Sequence, residues 1–246
     1  MTASRQPIPW TRVLVEGVVI VASILMAFGI EAWWDGAQER AEEAQFLASL
    51  AEDFRATRSE AESVISTYER TDRLLARLTS LTPDQLRSDS PDSLTAMVAA
   101  LASPRTFDPT LGTLDALISA GKMNVLSDAE LREALTSFRN MVEDAKEDEA
   151  YISHFAIRVW EAEIPHGGPW RIDVQQITPG GRQLTDVSVA PIPTADDAIR
   201  LRQDEELMSL SRWTQFQGAM YVGEIRRVAA QIDAVLALIE NSLAFR

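Results

Sequence analysis

The sequence predicts an all-α protein: a single N-terminal transmembrane helix that continues into an antiparallel helical bundle, with one long Pro/Gly-rich loop or small hairpin. Three observations carry this expectation. Val13 to Ile30 is an apolar run, three later stretches repeat apolar residues at 3,4 spacing, and Gly and Pro crowd into 165–194.

The apolar run is entered through Trp10 and Arg12 and left through Glu31, Trp33, Trp34 and Asp35. At 1.5 Å per residue, Trp10 to Trp33 spans roughly 35 Å, which sets an aromatic at each face of a hydrocarbon core about 30 Å thick. A cleaved signal peptide fits less well. The run exceeds the usual apolar region, and Ala27-Phe28-Gly29 passes directly into Ile30 and the Trp pair. Arg5 and Arg12 precede the run, whereas Glu31, Asp35, Glu39 and Glu42 follow it against Arg40 alone. The positive-inside rule then gives a cytoplasmic tail over 1–12, an anchor over 13–34 and an extracytoplasmic domain over 35–246. The expected location is a bacterial inner membrane, single-pass, with the domain in the periplasm.

Glu16 is the ionisable residue inside the run. Two readings stand open: a local pair with Arg12 one turn earlier, or a polar contact with another transmembrane helix. Gly17, Ala22, Ser23, Ala27 and Gly29 would let such a helix approach closely.

Beyond the anchor, 37–81 lacks Gly and Pro and reads as one long helix, with a kink near Gly36 as an alternative. Its seam is Leu47, Leu50, Phe54, Thr57, Ala61, Val64, Tyr68, Thr71, Leu75 and Leu78. Thr82-Pro83 and Ser90-Pro91 each read as an N-cap followed by Pro at the first helical position. Pro104 and Pro109 bracket an extended piece holding Phe107, and Leu111 to Ala120 reads as a helix closed by Gly121. Ser127 and Glu130 suggest a capping box that opens a second long helix running to Pro165. The 165–194 insertion is loop, with a hairpin over 171–177 and 183–190 as the alternative. A last helical region, 195–243, carries the stripe Tyr221, Ile225, Val228, Ile232, Val235 and Ile239, with Gly218 or Gly223 as candidate interruptions.

Pro9-Trp10, Glu16 and the stretch Ile24-Leu25-Met26-Ala27-Phe28-Gly29-Ile30-Glu31-Ala32-Trp33-Trp34-Asp35 resemble the opening of an uncharacterised bacterial family with one N-terminal anchor of the type G-I-L-I-A-L…W. Thr113 to Leu126 is similar to a second element of that family, and Asp128 to Phe138 continues it. The resemblance stops short of Pro165. It implies a single-pass helical protein and assigns no activity.

Composition narrows the chemistry. Cysteine is absent, which excludes disulfides, thiolate catalysis and cysteine zinc sites. The net charge of −14 argues against binding nucleic acid and allows a basic protein partner, although an acidic surface also serves solubility. His154 and His166 stand in no metal-binding spacing, and His154 reads as a packing residue. No G-x-S-x-G accompanies His166-Gly167-Gly168, and acidic clusters such as Glu147-Asp148-Glu149 read as solvated helix faces. Trp160, Trp213 and Phe216 read as core, whereas Trp170, set in the loop, reads as an interface anchor.

No catalytic residue, cofactor or metal is expected. The leading expectation is a scaffold or accessory subunit of a larger membrane complex, for which a respiratory or photosynthetic assembly is one fitting setting. Its partners would be integral membrane proteins, the bilayer and a basic extrinsic protein, met through Glu16, Gly17, Trp33, Trp34 and Trp170. The alternatives are a periplasmic ligand-binding or sensory module, disfavoured by the short stretch before the anchor, and a periplasmic hydrolase.

Overall fold

A computed structural model describes residues 10–168 and 192–244, with side chains from residue 21 onward. Within it the chain forms seven α-helices and no strand. They are α1 (Trp10–Ser80), α2 (Pro83–Arg87), α3 (Pro91–Ala99), α4 (Gly112–Ser119), α5 (Ala129–Glu163), α6 (Ala195–Gln203) and α7 (Glu205–Ala244). The 171–190 hairpin alternative and Trp170 lie outside the described residues, as do the side chains of Glu16 and Gly17.

α1 is unbroken through Gly36. Its 71 residues correspond to roughly 105 Å of helix. The seam is buried as its spacing predicts, with only Thr71 of the ten residues partly exposed.

The expected antiparallel arrangement needs a correction for one helix pair. α7 runs opposite to both α5 and α1: Gln231 donates to the Ala134 carbonyl and Tyr221 to Glu149, while Arg58 reaches Asp233 and Arg226 reaches Glu69. α1 and α5 therefore point the same way, meeting through the Phe54 and Phe138 rings at 4.7 Å. The reason is the segment 81–128, which carries the chain back along the bundle before α5 begins.

That segment is held by caps. Thr82 and Gln85 form a capping box on α2, and Ser90 caps α3. α4 has no cap of its own. The Asp53 carboxylate of α1 accepts its Thr113 N–H at 2.8 Å, and the Thr57 hydroxyl accepts the Thr110 N–H at 3.0 Å. Gly121 then turns the chain at φ +66°, a conformation that favours glycine.

Two boundaries differ from expectation. α5 is capped by Asp128, whose carboxylate takes the Glu130 and Leu131 N–H groups. Ser127 instead donates through both its N–H and hydroxyl to the buried Glu43 of α1, at 2.6 and 2.7 Å. The 195–243 region breaks at Asp204 and not at a glycine. Asp204 leaves the helical region (ψ 110°), and its carboxylate caps the Leu207 N–H and contacts His166 Nε2 at 2.8 Å.

Candidate functional site: two exposed apolar faces and a buried tyrosine–glutamate network

Among the described side chains of α1, those of 21–35 are all exposed; the helix first meets the bundle where Glu42 pairs with Lys122 at 2.7 Å and Glu43 is buried. Val21, Ile24, Leu25, Met26, Phe28, Ile30, Trp33 and Trp34 all project into the surroundings, none less than 49% exposed. A run of this size without cover marks a contact surface. Among the described residues, no helix is long and apolar enough to cross a membrane; the first part of the apolar run, before Val21, lies outside the described side chains. Trp33 and Trp34 sit at the end of this run nearer the bundle, 65% and 64% exposed.

A second exposed face joins α5 and α7. Phe155 meets Trp213 edge-on at 5.9 Å, Trp213 meets Phe216 at 5.6 Å, and His154 meets Phe155 at 5.5 Å. Trp213 is 45% and Phe216 55% exposed, and His154 is exposed too. The expected core placement of Trp213 and Phe216, and the packing role of His154, are therefore corrected. Trp213 lies one position before the buried Thr214, which turns it to the rim. Trp160 is partly buried and donates its indole N–H to the Ala102 carbonyl at 3.2 Å.

Between these faces lies a polar network that the sequence concealed. Glu149 of α5 accepts the Phe107 N–H and the Tyr221 hydroxyl, each at 3.1 Å. Tyr68 crosses Tyr221 edge to face at 5.7 Å and exchanges hydrogen bonds with the backbone of Arg105, both 3.3 Å. The Arg105 guanidinium grips both carboxylate oxygens of Glu60, at 3.0 and 3.2 Å. Glu149 is thus half-buried and not part of a solvated face; Phe107 and Tyr221 supply the shelter. Burial pushes its carboxyl above the ordinary range, against the two hydrogen bonds it accepts, with Asp108 adding to the rise and Lys146 opposing it. Burial likewise holds the Tyr68 phenol up at about 12 and that of Tyr221 higher, the latter helped by the Glu149 charge.

The network ties the extended 104–110 piece to three long helices, which is a structural task. Because folding raises the Glu149 pKa, the folded state holds that proton more tightly than the unfolded chain. Its contribution is therefore greatest below the ordinary value of 4.5 and declines as pH rises through the folded value. Glu149→Gln keeps an acceptor oxygen for Phe107 and removes the charge. Melting curves from acid to neutral pH should show the gap between variant and parent moving in the variant's favour as pH rises, and a gap moving the other way would refute the assignment.

Among the described residues, no three His, Asp or Glu side chains converge as metal ligands would. An open recess of about 330 Å³ between α1 and α7 is lined by ions that already pair, Arg58 with Glu62 and Asp233 and Arg226 with Glu69. No protein-family model, curated protein or solved structure matches this chain.

Proposed function

We propose that the protein is a membrane-anchored scaffold or accessory subunit, which uses the N-terminal arm of α1 to sit in a bilayer and the helical domain to brace other proteins of a complex. The single observation behind this reading is the arm itself. The apolar sequence from Val13 to Ile30 continues into an exposed helix that no part of the bundle covers. In water that arrangement is costly, and a bilayer or a partner helix removes the cost. The charge asymmetry around the run favours a cytoplasmic N-terminus and a periplasmic domain in a bacterial inner membrane.

Glu16, Gly17, Trp33 and Trp34 would then meet lipid and neighbouring transmembrane helices, and Trp170 would add a contact from the loop. Purification from native membranes in mild detergent should return a stoichiometric set of membrane proteins, identified by mass spectrometry. A lone monomer would refute the accessory-subunit reading and turn attention to ligand binding.

A further inference from the structure

The outer groove between α5 and α7 holds the ring series His154, Phe155, Trp213 and Phe216. Tyr151 lies one turn before Phe155 and Met220 one turn after Phe216, both at least 60% exposed. Tyr151, Phe155, Trp213 and Met220 each precede a buried seam residue by one position: Ile152, Ala156, Thr214 and Tyr221. Because the two helices run in opposite directions, this equal offset turns both stripes into their shared groove. Trp, Tyr, Phe and Met are the residue types that form the cores of protein interfaces.

Carboxylates concentrate at one end of the groove. The α5 stripe continues back from Tyr151 to Asp148 and Asp144, with Glu147 beside them; all three are exposed, and none forms an ion pair among the described residues. On α7 the stripe continues from Met220 to Glu224, which pairs with Arg227, and at the opposite end stand the exposed Arg158 of α5 and Glu206 of α7.

We infer that this groove receives a helix of another protein, with an apolar face on the ring series and lysine or arginine at the end that lies over Asp144, Glu147 and Asp148. The groove between two antiparallel helices is shaped for a third helix, and charge complementarity sets its polarity. The inference rests on the accessory-subunit reading, which also decides against a second copy. Two chains anchored in one membrane present their grooves in the same direction, so a two-fold pairing would set Asp144 and Asp148 against their own images. Copies free of a common membrane could pair head to tail, bringing the acidic end of each to Arg158 of the other.

The test uses the full chain in the membranes of the cells that make it, with Phe216 replaced by the photo-cross-linker benzoylphenylalanine and the adduct mapped by mass spectrometry. The expected adduct is a segment of another protein with an apolar helical face and a basic end. Asp144→Lys with Asp148→Lys should cut its yield about tenfold, as the loss or reversal of a few surface ion pairs predicts, without moving the melting temperature. An adduct to a second copy, to residues 169–191 or to lipid overturns the inference. So do the absence of an adduct, a partner segment without a basic end, and a yield that withstands the charge reversal. If native purification returns partners but Phe216 reaches none of them, the docking face alone fails; if it returns a lone monomer, both readings fail.

Discussion

Removing residues 1–34 is expected to transfer the protein completely from the washed membrane pellet to the soluble fraction while the bundle melts as before. Val13 to Ile30 contains eleven Val, Leu, Ile and Phe residues. At about 0.3–0.6 kcal/mol each for insertion, they supply roughly 3–7 kcal/mol, enough to outweigh a carboxylate costing about 3 kcal/mol even at the bilayer centre. Glu16 sits near one end of the run, where that cost is smaller. The fold should tolerate the loss because no side chain of the described arm is buried before Glu43. Fractionation and thermal melting test the two halves separately. Persistence of the truncated protein in the pellet would refute the anchor, and a collapse in melting temperature would show that the arm supports the bundle.

Gly218→Leu should be among the most damaging single substitutions in the domain. A Cβ at Gly218 would lie 2.9 Å from two ring carbons of Tyr68, and that ring cannot swing aside because its hydroxyl is fixed to Arg105 and its face meets Tyr221. Alanine gains about 1 kcal/mol of helix propensity, which offsets part of the clash, whereas leucine adds bulk with no place to go. A loss of about 3 kcal/mol for leucine corresponds to a fall of roughly 6–12 °C in a domain of this size. A double-mutant cycle provides the check. Tyr68→Ala opens the space, so leucine at 218 should cost much less in that background. Additive effects would show that Gly218 is needed for some other reason.

Helix class and core were legible in the sequence because burial in a bundle follows a 3,4 repeat. Leu47 through Leu78 and Tyr221 through Ile239 could be placed on their seams without coordinates. Direction was less legible, since a repeat is the same read either way, and the parallel course of α1 and α5 depends on how far 81–128 travels. Capping was readable where it is local, at Thr82 and Ser90, and hidden where it is tertiary, as when Asp53 caps α4 from another helix. Glu149 escaped notice because Glu147 and Asp148 share its composition but not its angle on α5; only its 3,4 relation to Ala145 and Ile152 gave a signal. Trp213 and Phe216 differ from the core placement that their size suggests because both fall beside the seam and not on it.

The arrangement of the three long helices also bears on how the domain is made. α7 packs closely along both α1 and α5, whereas those two stay farther apart and touch through the Phe54 and Phe138 rings. A chain emerging in order therefore presents two long apolar seams, one still attached to the arm, before the helix that covers both has been synthesised. At roughly 5–20 residues per second, the interval from the start of α5 to the end of α7 is on the order of ten seconds. During that time the nascent protein resembles a chaperone client more than a folded intermediate, and premature termination within α7 would leave an adhesive product, not a smaller stable one.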